Sequence, residues 1–205
     1  MFRFNGRPTP LFTTEMAAQI QQRGGQADAD ELLESFLRPL NANAHERYAQ
    51  LRNGSATPDD FIVHGGRALL ELLTARGLNI IILSGNPHDQ ITTEAEMLGL
   101  TQFCNGHVYG HTDANNFTKQ SVLEKLMAED SFTGEAFVMF GDGAAEIEAA
   151  RNLGGLAVAV CSDENENGSG RIDENKRAVL LEVGANAVIA DYREPESLLK
   201  ILLGE

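Results

Sequence analysis

Positive charge is scarce in this sequence: Lys and Arg number 16 against 30 Asp and Glu, giving a formal net charge of −14 and an isoelectric point near 4.7. That deficit excludes the basic footprint by which proteins hold phosphate backbones non-specifically, so no nucleic-acid partner is expected. Cysteine is nearly absent. Cys104 and Cys161 lie far apart and match no metal-ligand spacing, and they read as buried thiols in a reducing compartment rather than a disulfide or a metal pair. Long apolar runs are missing as well. The opening MFRFNGRPTPLF has no apolar stretch of the ~7 residues a signal peptide needs, and nothing elsewhere approaches the ~18 residues of a membrane span. These absences describe a cytoplasmic protein with no membrane partner.

What is present suffices for a folded core. A chain of 205 residues, 42% of them hydrophobic, is long enough for one globular domain with a small subdomain attached. Short apolar runs alternate with helical periods: LNIIIL (78–83), FVMF (137–140), LAVAV (156–160) and NAVIA (186–190) are apolar on both sides, as parallel strands covered on both faces must be. Between them, GRALLELLTARG, DQITTEAEMLG and RAVLLEVG close on Gly77, Gly99 and Gly184, where a left-handed cap falls. The pattern predicts a doubly wound, Rossmann-like parallel α/β sheet. Residues 12–60 break the rhythm, with helical spacing, no strand signals and a helix start at Thr57-Pro58-Asp59-Asp60. The expected division is a helical, cap-like segment over residues 1–60 and an α/β core over 61–205, with DENENGSG (163–170) as an exposed polar loop.

In such sheets ligands bind beyond the carboxyl ends of the strands, so the residues just after each strand carry the chemistry. After LNIIIL come Ser84-Gly85-Asn86-Pro87, whose hydroxyl and successive backbone N–H groups suit a phosphate oxygen, or simply make a tight turn. After FVMF, Asp142 stands between two glycines, and Glu146 follows one helical turn on, able to face the same side. Hard oxygen ligands at that spacing suit Mg²⁺, which takes one or two carboxylates and fills its shell with water and substrate oxygens. The competing reading makes Asp142 a helix N-cap. Lys119 opens a helix, against the helix dipole, which suits either an anion nearby or a solvated side chain.

Taken in order, these elements over residues 61–192 resemble the haloacid dehalogenase superfamily of Mg²⁺-dependent phosphohydrolases and phosphotransferases. The resemblance implies that Ser84 hydrogen-bonds the transferring phosphoryl group, with Gly85 and Asn86 beside it. Lys119 would be the cation that offsets charge on nucleophile and phosphate. Asp142 would hold the metal, with Glu146 in place of the usual second acid, supporting it directly or through water. VHGGRALLELLTARGLNIIILSGN is similar to the helix and strand that follow the family's helical cap. The family's first motif, an apolar strand ending in Asp-x-Asp with the attacking carboxylate first and the general acid and base second, has no match. The nearest stretch, Phe2-Arg3-Phe4-Asn5-Gly6, is either a degraded copy with Arg and Asn in the acids' places or unrelated, the true segment then lying upstream of this chain. In the family that strand sits mid-sheet between those carrying Ser84 and Asp142, so its loss implies two unpaired inner edges.

The remaining polar residues carry plainer readings. His64, His88, His107 and His111 are expected at surfaces or turns, Asp113 in a turn, and Arg171, Lys176 and Arg177 as a basic cluster paired with nearby acids. Two functions stay open: a phosphohydrolase of small phosphorylated metabolites, or a non-catalytic module of the same fold.

Overall fold

The computed structural model describes residues 7–205. In chain order it runs α1 (Thr9–Gln22), α2 (Ala29–Asn53), α3 (Gly66–Ala75), β1 (Ile82–Pro87), α4 (His88–Met97), α5 (Thr101–Cys104), β2 (Val108–His111) and α6 (Lys119–Asp130), followed by β3 (Val138–Gly141), α7 (Ala144–Asn152), β4 (Leu156–Val160), α8 (Glu174–Val183), β5 (Ala187–Ile189) and α9 (Pro195–Leu203). Every strand pairing in these elements is parallel, as the two-sided apolar runs require. Gly77, Gly99 and Gly184 all take positive φ at the helix ends. The fold is the α/β, Rossmann-like class expected from the sequence.

The sheet is in two pieces. β1 pairs with β2, and β3–β4–β5 form a second set. Among the described residues no strand pairs with the other edge of β1 or with the outer edge of β3. Between them lies a cavity of about 890 Å³, bordered by Leu78–Leu83 on one side and Phe137–Asp142 on the other, with Leu69 of α3 and Leu199 of α9 lining it. The core divides accordingly. Met139, Ile147, Ala157, Ala159 and Leu180 pack around β3 and β4, whereas Ala95, Cys104 and Val108 form a smaller cluster beside β1 and β2.

This split explains a displaced strand. The apolar run begins at Leu78, yet β1 begins at Ile82, where the Ile82 N–H donates to His107 O at 2.9 Å. Leu78–Ile81 line the cavity with no pairing neighbour, so their apolar character serves that wall. β2 was not anticipated; it is short, and Gly110 within it sits where an added Cβ would stand 2.5 Å from Asn86 O.

Ahead of the sheet, α1 and α2 pack together through a T-shaped contact of Phe12 and Phe36, ring centroids 5.8 Å apart. Asp28 caps α2, accepting from the N–H groups of Asp30 and Glu31 at 2.9 and 3.0 Å. The helix start at Thr57 is a single 3₁₀ turn, Pro58–Phe61, closed by a capping box in which Asp60 accepts from the Thr57 N–H at 2.7 Å. Residues 2–6, the nearest stretch to the first motif, lie outside the described residues.

Candidate active site

Ser84, Gly85 and Asn86 belong to β1 itself rather than to a tight turn after it. The register of β1 against β2 shifts between Leu83 and Pro87, and Ser84 Oγ accepts the Asn86 N–H at 3.1 Å. The expected turn is therefore an irregular strand end, and a phosphate oxygen at this place competes with Ser84 for the Asn86 amide.

Lys119 is the first residue of α6. Thr118 caps the helix, its Oγ1 accepting the Ser121 N–H at 2.9 Å, and α6 packs against β1 and α7. The side chain is not solvated: Lys119 is 6% exposed, and its ammonium donates to Glu146 Oε1 on α7. A buried charge persists only when paired, and Glu146, also 6% exposed, supplies that partner. The second carboxylate oxygen of Glu146, Oε2, is buried with no hydrogen-bond partner among the described residues.

Gly141 makes this arrangement possible. An added Cβ there would stand 2.4 Å from Glu146 Cβ and 2.6 Å from its Cγ, so the carboxylate crosses directly over the glycine. Since these atoms lie near the root of the side chain, Gly141→Ala cannot be absorbed by a rotamer change alone. It is expected to cost about 1–3 kcal/mol in urea unfolding, as overpacking commonly does.

Asp142 follows β3. It does not cap α7, which begins after Gly143 without any side-chain cap, so its carboxylate is left for other work. The side chain is 62% exposed, and Oδ2 lies 4.0 Å from Lys176 Nζ. Asp142 and Glu146 thus differ from the matched metal pair expected of their spacing: Glu146 faces Lys119 and is enclosed, while Asp142 opens to water. Both border the cavity between β1 and β3.

Sequence reasoning missed other residues here. Lys176, expected in a basic cluster paired with nearby acids, does pair with Glu164 (Nζ 2.5 Å from Oε1), but it is 2% exposed, a burial the sequence did not announce. It stands in the first turn of α8, the same oddity that singled out Lys119, and that signal would have found it. Arg171 and Arg177 do pair at the surface, with Asp163 and Glu166 and with Glu174 respectively. Tyr192 packs edge-to-face on Phe140, centroids 5.7 Å apart; burial, with the Asp142 charge second, holds its phenol above the ordinary value. Cys161 is a buried free thiol as expected; burial pushes it up to about 11, against the opposing charge of Lys176.

A divalent metal can be tested against these groups. Mg²⁺ needs one or two carboxylates, and the exposed, uncapped Asp142 with the orphaned Glu146 Oε2 nearby in sequence fits a site completed by water and phosphate oxygens. No cluster of three or more His, Cys, Asp or Glu able to hold a metal occurs among the described residues.

The divided parallel sheet thus carries Ser84 in β1 and Asp142 just after β3, with the buried Lys119 at the start of the helix α6 that precedes β3. The model of the haloacid dehalogenase-like hydrolases matches residues 3–154, and the chain belongs to that family. The match includes the N-terminal helices as well as the site. A phosphoserine phosphatase of Campylobacter jejuni subsp. doylei is 26% identical over 151 residues, 68% of this chain and 70% of the relative. Two solved structures share the fold. A haloacid dehalogenase family hydrolase from Deinococcus radiodurans R1, with bound phosphate and sodium, aligns with a TM-score of 0.60 at 15% identity over 96% of this chain and 90% of its own. A hydrolase from Pseudomonas syringae aligns with a TM-score of 0.63 at 18% identity over 98% and 81%. No helix among the described residues is long and apolar enough to cross a membrane.

Proposed function

We propose that this chain is the core and helical cap of a phosphohydrolase that acts on a small phosphorylated metabolite with Mg²⁺, and that its attacking carboxylate comes from a strand filling the gap between β1 and β3. The buried Lys119–Glu146 pair beside that gap carries the reading. A lysine enclosed at a helix start and held by a carboxylate on the next helix is a buried cation of the kind that suits an anionic substrate.

The residues divide the work. Ser84 Oγ and the amides of Gly85 and Asn86 hold phosphoryl oxygens; Lys119 offsets charge on the phosphoryl group and on the nucleophile; Glu146 fixes the Lys119 ammonium. Asp142 would hold the metal, which when bound shields phosphate charge and orients the group for in-line attack. The division into cap (1–60) and core (61–205) belongs to this proposal, with α1 and α2 as the cap.

The phosphatase relative and the family's hydrolase character support this reading. One observation favours the alternative, a binding module without turnover: the chain's Asp-x-Asp, Asp28-Ala29-Asp30, serves as the cap of α2 and lies at no strand end. The module would keep the phosphate pocket or a partner surface; the two readings differ in turnover.

Titration with inorganic phosphate, followed by amide chemical shifts, is expected to move Ser84, Gly85, Asn86 and Lys119 first. Shifts confined to residues remote from these would contradict the pocket. Mg²⁺ is expected to bind weakly, because Asp142 is exposed and Glu146 already holds Lys119; calorimetry on the wild type and on Asp142→Ala should differ, and identical heats remove Asp142 from the metal site.

A further inference from the structure

Lys176 is the second buried lysine among the described residues, and the chemistry above does not use it. It occupies the first turn of α8, where Asp173 caps the helix by accepting the N–H groups of Asn175 and Lys176 at 2.9 and 3.1 Å. A cation there opposes the helix dipole, and burial adds a desolvation cost, so its anions must compensate both. Those anions are unusual. Glu164 and Asp142 are 71% and 62% exposed, while the Lys176 side chain that reaches both is 2% exposed. The other acids of the loop are engaged elsewhere: Asp163 and Glu166 by Arg171, Asp173 by the helix amides. Glu164 is left to hold Lys176, and Lys176 reaches the acid assigned to the metal.

We propose that Lys176, held by Glu164, sets the affinity of Asp142 for a divalent cation. The inference rests on the reading of Asp142 as the metal acid. An ammonium 4.0 Å from Asp142 Oδ2 and a metal on the same carboxylate would be like charges close together; Lys176 is buried and cannot turn away into water, while the exposed Asp142 side leaves the repulsion partly screened. The ammonium therefore weakens metal binding, and it keeps Asp142 partly neutralised when no metal is bound. Glu164 moderates the effect by cancelling part of the Lys176 charge. Lys176 acts through Asp142, 4.0 Å away, so it tunes the site rather than reacting in it.

The test is a Mg²⁺ titration of the full 205-residue chain, followed by the Gly143 amide shift, in the wild type, Lys176→Met, Glu164→Gln and each combined with Asp142→Ala. Lys176→Met is expected to bind Mg²⁺ at least ~10-fold more tightly. Glu164→Gln is expected to bind it several-fold more weakly. A merely structural role does not yield tighter binding on deletion, nor opposite signs for two partners of one ion pair. Met matches the lysine stem in shape and removes a buried charge, a change that proteins commonly tolerate. Should Lys176→Met fail to fold, Glu164→Gln, at an exposed position, decides by its sign. Unchanged or weaker binding in folded Lys176→Met, or unchanged or tighter binding in Glu164→Gln, overturns the inference while Asp142-dependent binding leaves the metal reading standing. Absence of Asp142-dependent binding in every variant overturns both.

Discussion

Replacing Glu146 by alanine is expected to lower the stability of the folded chain by about 3–5 kcal/mol, the cost typical of removing one partner from a buried ion pair. The reason lies in what stays behind. Lys119 is the first residue of α6, 6% exposed, and its ammonium has Glu146 as its carboxylate partner; once that is gone, a cation is left in low dielectric at the positive end of a helix dipole. Replacing both residues together, Lys119→Met with Glu146→Leu, removes the unpaired charge along with the pair and should recover most of the loss. Urea unfolding of the two single variants, the double variant and the wild type gives the coupling directly. A Glu146→Ala variant within 0.5 kcal/mol of the wild type, a margin ordinary for surface changes, would show that Lys119 reaches water readily and that the enclosed pair is not a fixed feature of the site.

The second large effect concerns turnover. In the proposed site, Ser84, Lys119 and a metal at Asp142 would position and neutralise a phosphoryl group, contributions that act through orientation and electrostatics. An attacking carboxylate differs in kind: without it no aspartyl-phosphate forms, and losing a nucleophile commonly costs several orders of magnitude in rate. The 205-residue chain is therefore expected to hydrolyse simple phosphomonoesters no faster than Mg²⁺-containing buffer, and a version carrying an added N-terminal apolar strand that ends in Asp-x-Asp is expected to turn over. Initial rates of phosphate release from p-nitrophenyl phosphate check both.

Much of the fold was legible because burial on both faces leaves a compact apolar run. LAVAV became β4 with the expected bounds, and FVMF and NAVIA became β3 and β5 with small shifts. β2 was not legible, since Val108–His111 is short and its Gly110 answers to the backbone at Asn86 rather than to any apolar period. The offset of β1 was equally hidden: LNIIIL has the composition of a strand, but pairing depends on neighbours, and its first residues border the gap. The sequence singled out Ser84, Lys119 and Asp142 from their places after apolar runs and at a helix start; the structure sets Ser84 within β1, Lys119 buried at the start of α6 and Asp142 exposed after β3. The partner of Lys119 was not legible. Spacing alone puts Asp142 and Glu146 on one helix turn, and only the approach of α6 to α7, over a glycine at position 141, turns Glu146 toward the lysine. Lys176 hid within a run of charges whose neighbours do lie at the surface.

The central claim is that the strand ends of this chain form a phosphohydrolase site that lacks its attacking acid among the described residues. The most direct test is the Mg²⁺-dependent rate of the strand-extended chain beside the 205-residue chain, with Asp142→Asn made in the extended one. The account predicts turnover by the extended chain alone, abolished by Asp142→Asn. Mg²⁺-dependent turnover by the 205-residue chain, itself abolished by Asp142→Asn, would contradict it and show that the nucleophile already lies among its residues.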